Sequence, residues 1–333
     1  MEETMLRRTA LRLLACLSFS VAAPALALAQ DKPVTIRIAS AFEMSTDMMQ
    51  AAKRFGDLVK ERSQNNIDVK LFAGGQMGGE KDITEAIKIG ELEIGVLGTY
   101  PIVSLTPKYS FFDAPFVFRD KDHVYKAWSG KLGEEVRTIF KKNHGIRAVG
   151  IMGRGYRHIT SNTPINSVDD LKGMKIRMGQ SKPFINAFSA TGAVVVPIAL
   201  PELFTSLKLG VVSASDGPFD QIASFKLQEA QKYIALTGHL YATSLWLMND
   251  RVYEGLSAKQ KEIVDQAAKE ALAYGDELSA ASEKALGEKL KQAGMQFTQP
   301  DAAAFMAKAK PAIDKLFSED WSVTTADEIA KLR

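Results

Sequence analysis

Two arginines in the middle of the chain stand where a guanidinium has chemistry to do. Arg177 lies inside KIRM (175–178), which reads as a short strand, and Arg157 follows a strand predicted over 146–152. An Arg between Ile176 and Met178 needs an anionic partner or a path to solvent, because an unpaired buried charge is costly. Its planar fork of donors fits a carboxylate through two parallel hydrogen bonds. Taken singly, either Arg also fits a surface salt bridge. Other chemistries find little support. GxSxG, HExxH, Walker and EF-hand patterns are all absent. Cys16 is the only cysteine, which excludes an internal disulfide and a Cys-based zinc site. The four histidines, 123, 144, 158 and 239, are scattered and show no metal-ligand spacing. The neighbours Asp169-Asp170 and Glu134-Glu135 point in different directions and read as solvated surface. The glycines at 74–79 lack the spacing of a dinucleotide loop and read as a strand-to-helix turn. These residues predict a binder of an anion, with no cofactor, no metal and no catalytic apparatus.

The elements that must hold the two arginines alternate. Strands are predicted at 33–39, 67–72 and 92–97, with helices at 46–62 and 80–89 between them, the second stopped by Gly90. A helix over 124–142 and the strand at 146–152 follow a Phe-rich stretch, YSFFDAPFVFRD (109–120), which reads as core or a packing surface. A second alternating group comprises a turn at 160–166, strands at 175–178 and 193–198, helices at 183–191 and 202–209, and a strand opening at Val211. The stretch 235–248 is extended or mixed and returns toward the first group. Ser257 with Gln260 forms a capping box opening a helix to about Ala293, some 55 Å at ~1.5 Å per residue, with a bend expected near Gly275 or Gly287. A last helix spans 300–317. The pattern predicts an α/β chain in which helices cover sheets, with two interleaved lobes, a hinge and a bracing C-terminal helix. The lobes are drawn as 30–154 with 243–282 and as 155–242 with 283–333.

Composition sets the compartment. The 333 residues are 46% hydrophobic and 24% charged, ordinary for a soluble globular protein. A net charge of +3 without a basic stripe gives no nucleic-acid footprint. Residues 1–29 read as a cleaved secretory signal peptide: Arg7, Arg8 and Arg12, an apolar run over 13–26 too short for a membrane span, and a cleavage site at Ala27-Leu28-Ala29. An anchor helix is the alternative. Leu13-Leu14-Ala15-Cys16 resembles a lipoprotein box, but Arg12 leaves almost no apolar segment before the cysteine. Losing Arg7, Arg8, Arg12, Glu2 and Glu3 takes the 42 basic and 39 acidic residues to 39 and 37. The expected product is periplasmic, nearly neutral and without stable membrane insertion.

The middle of the chain also resembles a known family. FAGGQMGGEKDITEAIKIGELEIGV, SFFDAPFVFRD, SVDDLKGMKIRM, ALPELFTSLKLGVV and LQEAQKYIALTGHLY follow, in order, segments of the extracytoplasmic solute-binding proteins of tripartite ATP-independent periplasmic (TRAP) transporters, the DctP-like family. The resemblance covers essentially the whole mature chain. It implies two α/β lobes closing on a small organic carboxylate, which is handed to the membrane subunits of the transporter. It implies that Arg177 clamps the carboxylate, that Arg157 assists, and that Glu202 is a structural landmark. Feeding a sensor kinase, or a lyase or isomerase on the same scaffold, are the rival functions.

The departures from the family shape the expected ligand. Gly217 stands where a polar side chain is common, Leu200 replaces an aromatic, and Gly98 occupies the place of a Glu found in sialic-acid binders. Phe42, Met44, Tyr100, Tyr156, Phe184 and Phe219 are candidate wall residues, each equally suited to a core. Together they predict a less polar monocarboxylate, a keto or aromatic acid, in place of a sugar acid.

Overall fold

The computed structural model describes residues 32–332, so the expected signal peptide and Cys16 lie outside the described residues. Eleven strands are described: β1 (Val34–Ala39), β2 (Ile67–Phe72), β3 (Ile94–Leu97), β4 (Ile146–Tyr156), β5 (His158–Ser161), β6 (Lys175–Met178), β7 (Val194–Pro197), β8 (Ala214–Gly217), β9 (Tyr233–Ala235), β10 (Tyr241–Asn249) and β11 (Gln296–Thr298). They form two mixed sheets, ordered β2-β1-β3-β10-β4 and β11-β9-β5-β8-β6-β7. The chain passes from the first sheet to the second at Arg157, between β4 and β5, and returns between β9 and β10.

Each sheet follows its side-chain pattern. β1 pairs in parallel with β2 and β3, while β10 runs antiparallel between β3 and β4. Central β10 is buried on both faces and is accordingly apolar over Leu245–Met248, with Trp246 packed edge-to-face with Phe55. The Phe-rich stretch is core: Phe111 and Phe112 are buried, and Trp321 packs edge-on against Phe111 while its indole N–H donates to Ser110 Oγ at 2.8 Å. That contact ties the C-terminal segment to the Phe-rich stretch.

Several boundaries differ from the sequence reading. The single helix expected over 124–142 is two, Lys121–Ser129 and Lys131–His144, because Gly130 between them takes an extended conformation. The turn expected at 160–166 begins later, since Thr160 and Ser161 complete β5 between β8 and β9. The strand expected to open at Val211 begins at Ala214. A short helix, Ala326–Ala330, had no counterpart in the reading; it is opened by a capping box from Thr325 to Glu328.

The long helix spans Ala258–Gln292 as one element, with Ser257 accepting from Gln260 N. It packs on helix Asp47–Arg62 and β4 and also on helix Phe219–Ser224, so it touches elements belonging to both sheets. No helix among the described residues is long and apolar enough to cross a membrane.

Candidate functional site

A cleft enclosing about 640 Å³, its open mouth included, lies where the two sheets meet. Its lining combines three arginines, Arg154, Arg157 and Arg177, with Glu80, Asp113, Thr99, Tyr100, Gln180, Ser181, Gln221 and Thr243. Phe42, Phe184, Leu200 and Leu240 supply apolar wall.

Strand geometry places the arginines. In β6, Ile176 and Met178 are fully buried, and alternation turns Arg177 to the opposite face, toward the cleft. Strict alternation would set Arg154 and Arg157, three residues apart, on opposite faces. A bulge removes the conflict: Ala242 pairs with Gly155 and Thr243 with Gly153, so Arg154 is the extra residue. Gly155 holds φ at +83°, a conformation costly for any residue with a Cβ. The sequence R-G-Y-R is therefore a device for aiming two cations at one cavity.

The three arginines differ in what they already hold. Arg157 Nε donates to Asp216 Oδ2 at 2.6 Å, and its guanidinium lies 5.2 Å from the Phe184 ring centroid. Asp216 is fully buried in β8 and also meets His239 Nε2 at 3.1 Å. Burial opposes ionisation of Asp216, but the charge of Arg157 and the bonds from His239 and Arg157 outweigh it and hold the carboxyl well below its ordinary range. Burial lowers the His239 pKa against the pull of Asp216. A neutral ring with Nε2–H donating to Asp216 and Nδ1 accepting from Thr237 satisfies both contacts.

Arg154 donates to Asp220 Oδ1 at 3.4 Å and lies 4.2 Å from the centroid of the Phe42 ring, with its Nε unpartnered. Arg177 has no ion-pair partner among the described residues. Only its Nε is engaged, donating to Ile198 O at 2.9 Å. Yet it is just 3% exposed, and burial pulls its pKa down to about 10. A buried guanidinium with a vacant fork is unfavourable by itself and favourable once an anion enters.

The sequence-selected residues divide. Arg177, Arg157, Phe42 and Tyr100 converge on the cleft, as does Phe184. Tyr156 and Phe219 do not border it; they flank a separate small cavity with Asp47, Asp220 and Ser282. The positive φ of Gly155 breaks the alternation that would have aimed Tyr156 otherwise, and its hydroxyl donates to Arg119 O at 3.3 Å. Phe219 packs on His158 and Phe297, and Met44 packs against the core.

The expectation of a less polar pocket is corrected by what fills two glycine positions. Gly98 donates its N–H to Glu80 Oε1, and a Cβ there would stand 3.0 Å from that oxygen, so a carboxylate already occupies the space. Gly217 lies under Gln221, whose Nε2 would be 2.7 Å from an added Cβ and which itself lines the cleft. Polar groups lost at 98 and 217 are supplied from 80 and 221. Glu80, Asp113, Arg154 and Gln221 were missed because each comes from a different element. The only local signal was the arginine-glycine pair at 154–155. Among the described residues no group of His, Cys, Asp and Glu is arranged to hold a metal ion.

Comparison with known proteins agrees with this architecture. Residues 38–320 match the bacterial extracellular solute-binding proteins, family 7 (DctP). The 2,3-diketo-L-gulonate-binding periplasmic protein of Escherichia coli K12 is 30% identical over 272 residues, 81% of this chain and 83% of the relative. A TRAP periplasmic solute-binding protein from Bordetella bronchispeptica, with density interpreted as pantoate, superposes with a TM-score of 0.84 at 31% identity, covering 90% of this chain and 99% of that one. One from Roseobacter denitrificans with bound L-galactonate gives 0.85 at 27% identity, covering 90% and 100%. A family match across this span, with the same two-sheet α/β architecture and long helix, makes the chain a binding protein of the TRAP type and not an enzyme. It belongs to the bacterial extracellular solute-binding proteins of family 7.

Proposed function

We propose that the protein captures a small organic acid outside the cytoplasm, grips its carboxylate with the fork of Arg177, and hands it to the membrane subunits of a TRAP transporter. The observation that carries this reading is the vacant, buried guanidinium of Arg177 on the wall of the cleft. Arg157 is fixed by Asp216 and adds positive potential without swinging free. The ligands of the similar structures, pantoate and L-galactonate, fit the same chemistry.

The parts of the chain built on the two sheets act as two lobes hinged at the strand crossings, which fall at Arg157 and between β9 and β10, a few residues from the expected bounds at 154 and 242. Closure would exclude water and strengthen the ion pair. The test is mass spectrometry of whatever acid is released from protein purified out of its native periplasm, with small-angle scattering before and after release. A carboxylic acid and an expansion on its removal are expected. Recovery of a non-acidic solute would overturn the reading, and an unchanged profile would overturn the hinge.

Export follows from the basic start, apolar run and Ala-Leu-Ala site. N-terminal sequencing of the exported protein should begin at Gln30 or within a few residues of it. A chain beginning at lipidated Cys16 would contradict this.

A further inference from the structure

Five charged side chains on the cleft wall carry an uneven arrangement. Arg157 is matched by Asp216 and Arg154 by Asp220, while Arg177 has no acidic partner among the described residues. One cation is therefore left for one carboxylate. Glu80 and Asp113 line the same cleft and have no ion-pair partner among the described residues either. Glu80 Oε1 accepts from Gly98 N, and its second oxygen has no hydrogen bond among the described residues. Asp113, 8% exposed, accepts from the hydroxyl of Thr99. Ser181 Oγ, also on the wall, is buried beside Asp113, whose ionised form it favours. The adjoining mouth adds Lys81 and Asp82 together, and so no net charge.

Resting on the capture reading above, we propose that Glu80 and Asp113 accept hydrogen bonds from hydroxyl groups of the acid whose carboxylate Arg177 holds, so that the cleft takes hydroxylated monocarboxylates and rejects the matching dicarboxylates. An ionised carboxylate is an acceptor only, so it rewards a hydroxyl and repels a second carboxylate.

The groups facing these acids set how selectivity varies with pH. Asp113 faces Arg157, Glu80, Thr99 and Ser181; Glu80 faces Arg154, Arg177, Arg157 and the Gly98 N–H. Burial, against the pull of these donors and cations, raises the pKa of Asp113 to about 6 and moves that of Glu80 upward as well. Below that range a protonated Asp113 becomes a donor, able to meet a second carboxylate. Discrimination is therefore full at alkaline pH and narrows as pH falls.

The experiment is calorimetric titration of the exported protein with pairs differing only in oxidation of the terminal CH2OH: D-erythronate against meso-tartrate, and L-galactonate against galactarate. At pH 8 the dicarboxylate should bind at least ~100-fold more weakly, the scale set by like charges brought together in a closed interface. Glu80→Gln and Asp113→Asn, each nearly isosteric, should each narrow that ratio by roughly tenfold or more. Wild-type protein should narrow it between pH 8 and pH 5, an arm that needs no variant. Equal or tighter dicarboxylate binding at pH 8 would overturn the proposal. So would a ratio unmoved by pH and by both substitutions in proteins whose circular dichroism is native. If no member of either pair binds, the ligand class assigned here falls. An acid recovered by mass spectrometry, with its binding lost in Arg177→Ala, would leave the capture reading standing.

Discussion

Arg177→Ala should bind the captured acid about 30- to several-thousand-fold more weakly, the equivalent of ~2–5 kcal/mol for removing one member of a buried charge pair. The fold should survive, because Arg177 makes no ion pair among the described residues and a single bond to Ile198 O. The unliganded protein carries a cation that burial disfavours, so the variant should be no less stable to denaturant than wild type when ligand is absent. Arg177→Lys keeps the charge and loses the fork, and should recover only part of the affinity. Calorimetry measures the affinities and circular dichroism the fold. A folded Arg177→Ala protein with near-native affinity would remove the clamp.

Arg157→Ala should weaken binding less, since that guanidinium is already committed to Asp216. Its partner gives the second large effect. Asp216→Ala should destabilise the protein by about 3–5 kcal/mol at neutral pH, the range for breaking a buried ion pair from one side. Two groups then lose an acceptor at once: Arg157 keeps its charge without a counter-ion, and the buried His239 Nε2–H has none. Asp216→Asn, which retains the shape and one acceptor oxygen, should cost less.

The pH dependence has a definite sign. The folded-state pKa of Asp216 is depressed, so its stabilising contribution is present above the unfolded value of roughly 3.9 and is lost as pH falls through the folded value. The gap between wild type and Asp216→Ala should be widest near pH 7 and shrink in strong acid. Denaturant titrations at pH 7 and pH 3 measure it. An alanine variant as stable as wild type at pH 7 would show that the Asp216 network contributes nothing net.

Local pattern in the sequence was enough for the helices at Glu80–Ile89 and Ala258–Gln292 and for the strands β2 and β6, because capping residues and side-chain periodicity act over a few positions. The two arginines were also legible, since a charged residue among strand-forming apolar ones is conspicuous wherever the strand lies. Tertiary structure decided the rest. Whether Arg154, Arg157 and Tyr156 face the cleft depends on the bulge opposite Ala242 and Thr243, a pairing with a strand more than eighty residues away. Whether Gly98 and Gly217 leave the pocket bare depends on Glu80 and Gln221, which reach those places from other elements. A missing side chain is visible in the chain as written, but the group that takes its space is brought there only by folding. The polarity of the cleft is therefore a property of the fold, while the sequence already shows that Arg177, set between apolar strand residues, needs an anionic partner or a path to solvent.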